Sequence, residues 1–308
     1  MGQVEFVTVT PEEAGQKLLQ FLQRRVDNDV PKSAVMRWIR TGQVRVNKGR
    51  VKPFVRLEQG DMVRIPPYSV AEAAAENVKK DIGLVDVTIV GEADGLLVLH
   101  KPAGLPVQPG TGHTDAVTTR LKLKYADAPF CPTPAHRLDK NTSGLLLIAT
   151  SYARLQQLHE LFRNEHALGK HYLAWVEGRW EHEETTELYD QISKQSQENG
   201  KERMETGAGK EALCSVTPLL VTDKKSLLHV SLQTGRTHQI RVQLSSRNHP
   251  IIGDTKYNGS SNPQGMLLHA WRIVLPDEVF TCLPVWKRPF DVERNFLEKT
   301  LRLHHLEN

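Results

Sequence analysis

The front of the chain carries apolar residues at helical spacing. Within residues 13–26, four apolar side chains recur at helical intervals: Leu18, Leu19, Leu22 and Val26. That spacing predicts an amphipathic helix. Residues 32–41 predict a second, shorter helix, whose apolar face is formed by Val35, Trp38 and Ile39. Gly42 follows immediately and is typical of the end of a helix.

Short strands are predicted next. Residues 44–47 read VRVN and residues 61–66 read DMVRIP, and both runs are rich in β-branched residues. Lys48 and Gly49 predict a turn after the first of them.

The remainder mixes strand-like and helical runs. The strand-like runs read VTIV, GLLVLHK, GLLLIAT, LLHVSLQ and MLLHAWRIVL. The clearest helix is predicted at 151–166, with Ser151 as its N-cap and an apolar face formed by Leu155, Leu158, Leu161 and Phe162. Strands and helices do not alternate strictly, so the pattern favours an α+β fold over a doubly wound sheet.

A polar, Ala-rich stretch separates the two parts of the chain. It follows Pro66 and Pro67 and has no strand alternation, which predicts a linker at 69–83. A chain of 308 residues is long enough for about two domains. We therefore expect one domain at 1–68 and a second at 84–308.

Positive charge is concentrated in the first domain. Residues 1–68 hold twelve Lys or Arg and seven Asp or Glu, a net charge of +5, which exceeds the +4 of the whole chain. Between Lys32 and Arg56 there are eight cations and no carboxylate. Such a patch attracts phosphates. The candidate RNA-binding residues are Lys32, Arg37, Arg40, Arg45, Lys48, Arg50 and Lys52.

The cysteines indicate a reducing compartment. Cys131, Cys214 and Cys282 are odd in number and widely spaced, which matches neither a disulfide framework nor a zinc pattern. The first residues have no apolar signal core, and no run reaches the roughly 18 apolar residues that span a bilayer. We expect a cytoplasmic protein with no membrane contact.

One segment concentrates the candidate chemistry. Residues 136–150 read HRLDKNTSGLLLIAT and place Asp139 beside an arginine, just before an apolar run. The ordinary pKa of an Asp side chain is about 3.9, so the group is ionised at neutral pH and can act as a nucleophile if a cation holds it. The alternative from spacing alone is an Asx-type turn before a strand.

This segment resembles the HRLDxxTSGLLL signature of the large-subunit ribosomal pseudouridine synthases of RluA, RluC and RluD type. Three further segments are similar to family motifs, in the same order: KPAGLPVQPG at 101–110, KHYLAWVEG at 170–178 and TGRTHQIRVQ at 234–243. The resemblance implies a catalytic domain built on a long curved mixed, mainly antiparallel β-sheet, with helices flanking a central cleft.

The first domain resembles the small S4-like RNA-binding domain. The run VPKSAVMRWIRTGQVRVNKGRVKP is similar to the version in RluC-type enzymes. The first helix departs from the pattern, because Lys17, Leu18 and Leu19 stand where an Arg-hydrophobic-Asp triplet is usual. A contact made by that Asp is therefore in doubt.

The resemblance implies roles for four residues. Asp139 corresponds to the nucleophile, which attacks either the anomeric carbon of the ribose or carbon 6 of the uracil; the sequence leaves both open. Arg137 corresponds to the arginine that enters the space of a flipped base. Tyr172 corresponds to the tyrosine that packs on the uracil, and Arg241 to the arginine that pairs with the catalytic Asp.

Neighbouring residues are assigned supporting roles. Thr237 and Gln239 are expected to shape the loop and helix start, and Lys101 and Lys170 to make phosphate or structural contacts. Gln243, where many relatives have His, is expected to tune packing. The reaction requires no cofactor, and the histidines lie in motifs that bind no metal in the family, so we expect neither.

Other enzyme classes fit less well. The GTG at 110–112 lacks the third glycine of a dinucleotide fingerprint, and the GAGK at 207–210 lacks parts of a phosphate loop. A glycosidase needs two carboxylates flanking the bond, and the matched motifs hold no second one. Ser143 lacks the glycines of a nucleophile elbow.

The expected function is therefore an RNA pseudouridine synthase that acts on large-subunit rRNA, as a monomer without an obligate protein partner. Two alternatives stay open: a tRNA pseudouridine synthase, and a catalytically silent RNA-binding or ribosome-assembly factor.

Overall fold

A computed structural model describes residues 3–26, 30–68, 88–110, 115–164, 167–196 and 202–306. The predicted linker at 69–83 lies outside the described residues, as does the predicted end of the third helix at His166. Among the helices of the described ranges, each is too short or too polar to cross a bilayer.

The N-terminal part folds around its own core. Its strands pair antiparallel in the order β1-β3-β2, with bounds β1 Glu5–Thr8, β2 Arg45–Val46 and β3 Met62–Ile65. Its helices are α1 Leu18–Arg25 and α2 Lys32–Arg40. The predicted apolar faces of both helices meet in one cluster with the inner faces of the strands.

Helix α1 begins later than predicted. The pattern placed its start at residue 13, but Gly15 has a φ of +85° and Lys17 is extended. Gly15 therefore interrupts the helical path, and the chain turns there instead. Lys17 makes no side-chain capping bond. The second helix has the predicted bounds to within one residue, and Gly42 has the positive φ of a helix stop.

The C-terminal part is organised by one large sheet. Within the described residues its strands follow the order β10-β9-β11-β12-β8-β13-β7-β5-β4, with β14 on β13 and β6 on β7. The bounds are β4 Thr88–Ala93, β5 Leu96–Lys101, β6 Thr133–Pro134, β7 Ser143–Ala149, β8 Gly169–Glu177, β9 Thr186–Ser196, β10 Glu202–Thr206, β11 Lys210–Val221, β12 Lys225–Leu232, β13 Leu268–Val274 and β14 Val279–Thr281. Among these pairs β13 and β7 alone run parallel. The mixed, mainly antiparallel prediction is confirmed, and a doubly wound sheet is excluded.

Helices cover both faces of this sheet. Their bounds are α3 Val117–Lys124, α4 Tyr152–Arg163, α5 Gln239–Ser245 and α6 Arg294–Leu303, with a short 3-10 turn at Thr255–Tyr257. Ser151 caps α4 as predicted, because its side chain accepts from the Arg154 N–H at 3.2 Å. Helix α5 packs on one apolar cluster and α6 on another.

The two parts of the chain touch at the start of α4. The Tyr152 N–H donates to the Glu12 carbonyl at 2.7 Å. The Arg24 guanidinium lies 4.7 Å from the Phe130 ring centre and 5.7 Å from that of Tyr152. A half-buried cation close to two aromatic rings is a favourable contact. Burial lowers the pKa of Arg24, and nearby groups including Tyr152 and Glu13 oppose that shift.

Strands β7 and β13 approach closely where the loop carrying Asp139 enters the sheet. Gly144 pairs with Ala270 and has a φ of +120°. A Cβ at Gly144 would lie 2.2 Å from the Ala270 carbonyl oxygen and 2.5 Å from its nitrogen, both backbone atoms. Only a residue without a side chain fits there.

We expect Gly144→Ala to lower the free energy of unfolding by more than about 2 kcal/mol, since both the clash and the backbone conformation oppose it. Urea unfolding measures the change. Gly104→Ala is the matched control: its φ is +88°, but the added Cβ would have nothing within 4 Å. If the two variants lose equal stability, the close approach of the strands is not the constraint.

Candidate active site

Asp139 lies in the loop between β6 and β7. Its backbone carbonyl accepts from the Thr142 N–H at 3.1 Å, which closes a turn before β7 begins. Its side chain points elsewhere, because Oδ2 accepts from Arg241 Nη1 at 2.9 Å. The carboxylate is 20% exposed and is therefore reachable. The main chain forms the turn, and the side chain is available for chemistry.

Arg241 binds two carboxylates at once. Besides the bond to Asp139, its Nε donates to Asp254 Oδ2 at 2.7 Å and its Nη2 to Asp254 Oδ1 at 2.8 Å. Burial alone would lower the pKa of Arg241, but the hydrogen bonds and charge of Asp254, together with Asp139, raise it above its ordinary value. The guanidinium therefore stays cationic beside Asp139.

Helix α5 presents Arg241 from a tight turn. Its N-cap, His238, is in the left-handed region with a φ of +56°. Gln239 accepts from the Arg236 N–H at 3.0 Å and from the Thr234 hydroxyl at 2.8 Å, so it fixes the helix start as expected. Gln243, one turn after Gln239, donates to three oxygens of β9 and β11, which ties the helix to the sheet.

His238 and Tyr257 complete the surroundings of the ion pair. His238 Nε2 lies 3.7 Å from Asp139 Oδ2, and Nδ1 lies 2.8 Å from the Tyr257 hydroxyl. Burial lowers the pKa of His238 to about 4, although the charge of Asp139 opposes the shift. The imidazole is therefore neutral at pH 7. The Tyr257 ring centre lies 4.9 Å from the Arg241 guanidinium carbon.

Lys101 forms a hydrogen bond to the backbone of the loop that carries Asp139. The side chain is fully buried, and Nζ donates to the carbonyls of Pro102 and Leu105 at 2.9 Å and of Lys140 at 3.1 Å. Burial lowers the pKa of Lys101 to about 7, and Asp139 opposes that shift. Of the two roles expected for Lys101, these bonds favour the structural one.

A cavity of about 360 Å³ opens over the ion pair. Its lining includes Asp139, Arg241, Tyr172, Arg137 and Lys170. Three of the predicted catalytic residues and the predicted base-flipping residue therefore border one space. A volume in this range suits a small organic ligand or a single nucleotide unit.

Tyr172 and Arg137 occupy different parts of that cavity. Tyr172 is on β8, and burial, followed by the charge of Asp139, raises the pKa of its hydroxyl well above the ordinary value. The phenol therefore stays protonated at neutral pH. Arg137 is exposed. Its neighbour His136 faces inward, where its ring stacks on Phe162 and Nε2 accepts from the Leu147 N–H at 3.0 Å.

The cationic residues of the N-terminal part form a separate surface. Four of the seven predicted RNA-binding residues line one groove of about 670 Å³: Arg37, Arg40, Arg50 and Lys52. The other three, Lys32, Arg45 and Lys48, are exposed. Lys48 has a φ of +67°, and its carbonyl accepts from Arg45 Nη1 at 3.3 Å. None of the seven lines the cavity over Asp139.

The sequence interpretation missed Asp254, Tyr257 and His238 as members of the site. Asp254 lies outside the four matched motifs, which is why those motifs show no second carboxylate. The available indication was the GD pair at 253–254: Gly253 has a φ of +87°, typical of a turn that presents its neighbour.

Three potential metal ligands meet elsewhere. The ligand atoms of His100, His269 and Cys282 lie within 4.8 Å of one another. Both ring nitrogens of His269 are already engaged, one with the Ser143 hydroxyl at 2.8 Å and one with the Cys282 carbonyl at 2.9 Å. A metal would have to displace one of these bonds, so the described contacts of His269 favour hydrogen bonding over metal binding.

Comparisons with known proteins show which family this chain resembles. A family model described as RNA pseudouridylate synthase matches residues 95–246. Ribosomal large subunit pseudouridine synthase C of Escherichia coli (strain K12) is 39% identical over 261 residues, which cover 82% of this chain and 80% of that protein. The protein of the same name from Haemophilus influenzae is 38% identical, covering 82% of this chain and 79% of that protein.

A solved structure shows the same fold. Human RNA Pseudouridylate Synthase Domain Containing 1 matches with a TM-score of 0.57 at 23% identity, over 71% of this chain and 96% of that one.

Three histidines of the C-terminal part predict a loss of stability in acid. Burial lowers the pKa of His136, His229 and His269 to about 3 each. Below the unfolded value of about 6.5 the unfolded chain binds protons that the folded chain does not. The free energy of unfolding should therefore fall as the pH falls from about 6.5 toward about 4, by up to about 1.4 kcal/mol per pH unit for each histidine.

Urea unfolding between pH 7 and pH 4 measures this slope. His136→Gln should reduce the slope of unfolding free energy against pH by the contribution of one histidine. His182→Gln removes an exposed ring and should leave it unchanged. Equal slopes for the wild type and His136→Gln would contradict the assignment.

Proposed function

The chain belongs to the RNA pseudouridylate synthase family, and we propose that it isomerises specific uridines of large-subunit ribosomal RNA to pseudouridine, with Asp139 as the nucleophile. The observation that carries the proposal is the Asp139 carboxylate, held at 2.9 Å by a cationic Arg241 in a cavity that Tyr172 also lines. The relatives named ribosomal large subunit pseudouridine synthase C support the choice of RNA.

The reaction rearranges one nucleotide without adding atoms. The bond between uracil N1 and the ribose anomeric carbon breaks, and the base turns while it stays bound. A bond then forms from carbon 5 to the anomeric carbon; carbon 5 loses its proton, and N1 ends with one. A carboxylate nucleophile can hold the reacting fragment through a covalent bond to either the ribose or ring carbon 6.

Arg241 places a positive charge beside the nucleophile. A carboxylate that is four-fifths covered has lost most of its contact with water, and the guanidinium compensates for that loss. The neutral imidazole of His238 adds a polar neighbour without adding a second positive charge. Asp139 thus has one strong cationic partner.

Tyr172 provides a flat surface for the uracil. Its hydroxyl stays protonated because burial and the Asp139 charge raise its pKa. A protonated phenol can donate a hydrogen bond or relay a proton near carbon 5, but it is not deprotonated and available as a general base at neutral pH.

Arg137 is suited to hold the space that the base leaves. A uridine inside a helix must leave the stack, at a cost of a few kcal/mol. The exposed guanidinium at the cavity edge is planar and can stack where the base was. The stacked His136 beside it anchors the backbone from which Arg137 extends.

We propose that residues 1–68 form an S4-like RNA-binding domain joined by a linker at 69–83 to a catalytic domain at 84–308. The cationic groove on α2 and the exposed turn at Lys48 support this division. The separate core of the N-terminal part supports it as well.

Asp139→Asn should abolish isomerisation while RNA binding persists, because the amide is nearly the same size but is not a nucleophile. The measurement is tritium release from rRNA labelled at uridine carbon 5. Asp127→Asn, at an exposed Asp of the same domain, is the control and should keep full activity. Normal tritium release from Asp139→Asn would refute the nucleophile assignment.

The same assay separates the competing substrates. Labelled large-subunit rRNA should release tritium in the presence of the wild-type chain, and labelled tRNA should not. Release from tRNA alone would identify a tRNA enzyme, and binding without release from either would identify a silent RNA-binding factor.

Neutralising Arg45, Lys48 and Arg50 to Gln should weaken RNA binding and flatten its salt dependence. Loss of two or three phosphate contacts should reduce the slope of log K against log salt by about 1.4 to 2.7. The control is the triple Gln variant at three exposed cations near the C-terminal end, Lys287, Arg288 and Lys299. An unchanged slope in the first variant would show that the N-terminal domain does not contribute to RNA binding.

A further inference from the structure

Arg241 is oriented mainly by a residue that the sequence motifs do not include. Asp254 is 3% exposed, and its two oxygens receive Nε and Nη2 of Arg241 at 2.7 and 2.8 Å. This is the bidentate pairing that fixes a guanidinium in a plane as well as at a distance. The bond to Asp139 uses the remaining nitrogen, Nη1.

The turn at 251–259 holds Asp254 rigidly. The Asp254 N–H donates to the Ile251 carbonyl at 3.0 Å, and its carbonyl accepts from Tyr257 at 3.0 Å and Gly259 at 2.9 Å. A Cβ at Gly253 would lie 2.0 Å from the Gly265 carbonyl oxygen, so the backbones on either side are in close contact. The carboxylate therefore has little freedom to move with Arg241.

Tyr257 closes a further side of the guanidinium. Its ring lies against Arg241, and its hydroxyl is tied to the Met204 N–H at 3.1 Å and to His238 at 2.8 Å. Asp254 and Tyr257 come from one turn, so a single segment sets both the plane and the depth of Arg241.

We infer that Asp254 is a positioning residue for the reaction: its bidentate pairing with Nε and Nη2 fixes the plane of the Arg241 guanidinium, and in that orientation Asp139 meets a single N–H of Nη1 and keeps an oxygen available for attack. This inference rests on the proposed function. Among the described residues, the polar contacts of the Asp139 side chain with Arg241 and His238 both fall on Oδ2.

The physical reason is that the carboxylates of Asp254 and Asp139 both influence the orientation of the Arg241 guanidinium. Without Asp254, Arg241 could rotate and offer two parallel N–H groups to Asp139. That pairing would bind both oxygens of the nucleophile and hold it in a stable ground state. The single hydrogen bond from Nη1 instead keeps the positive charge of Arg241 near Asp139. It leaves the second carboxylate oxygen, Oδ1, without a hydrogen bond from Arg241.

Asp254→Asn in the full-length chain tests the inference. The amide is nearly isosteric but loses the charge and one acceptor, so Arg241 can turn toward Asp139. We expect kcat for tritium release to fall about tenfold to a hundredfold, as is common when a partner of a catalytic group is lost. The KM for RNA should change by less than about twofold, because Asp254 is buried and meets no RNA.

The chain offers a control with the same bidentate geometry at a half-buried pair. Arg120 and Asp115 form the same fork, with bonds of 2.8 and 2.6 Å, away from the cavity lining. Asp115→Asn should keep kcat. If both variants lose kcat in proportion to their loss of thermal stability, Asp254 has a structural role only and the inference is overturned.

A second variant covers the case in which Asp254→Asn does not fold. Asp254→Glu keeps the charge and the ion pair, so it retains the folded state, but the extra methylene displaces the guanidinium. Its kcat should also fall at unchanged KM. Full wild-type kcat in Asp254→Glu would overturn the inference.

A double variant separates positioning from independent effects. Arg241→Lys cannot form the fork, so adding Asp254→Asn to it should cost little further activity. Additive losses would overturn the inference. If the wild-type chain itself releases no tritium, the proposed function fails. If the wild type is active and Asp254→Asn keeps its kcat, only the positioning role fails.

Discussion

The ion pair between Asp139 and Arg241 is the interaction on which the site depends. The two residues are 102 positions apart, and they meet because the loop before β7 and helix α5 lie beside the same sheet. Each partner alone would be costly to cover, since a charge removed from water needs a compensating charge or hydrogen bonds. The fold meets that requirement with one arginine placed between two acids.

Hydrogen bonds to the backbone and close backbone contacts determine where Asp139 lies. Lys101 binds the carbonyl of Lys140, directly after Asp139, and Gly144 then enters a narrow contact with β13. The loop is thereby fixed at both ends within a few residues. Lys101 itself is held by three carbonyl oxygens, so its ammonium acts as a clamp between the first motif and the second. The conformation of this loop therefore depends on contacts with β5 and β13 as well as on its own residues.

Local features of the fold could be predicted, and features that depend on distant contacts could not. Helix α2 and the Ser151 cap follow from spacing and side-chain type within a few residues. The start of α1 was misplaced because Gly15 takes a left-handed conformation that apolar spacing does not register. Asp139, Tyr172 and Arg241 were found through resemblance. Asp254 was missed because the GD pair at 253–254 indicates a turn but not the contact of Asp254 with Arg241, which lies in another segment.

The contact at Tyr152 makes the two parts of the chain interdependent. The first N–H groups of a helix have no partner within the helix, and here the amide of Tyr152 finds its acceptor in Glu12, in the N-terminal part. The guanidinium of Arg24 lies over the ring of Phe130 and that of Tyr152. In a chain shortened to begin after residue 83, the rings of Tyr152 and Phe130 would thus be more exposed to water. The Tyr152 N–H would also lose its acceptor in the protein. The N-terminal part therefore supplies contacts that complete the structure of the C-terminal part.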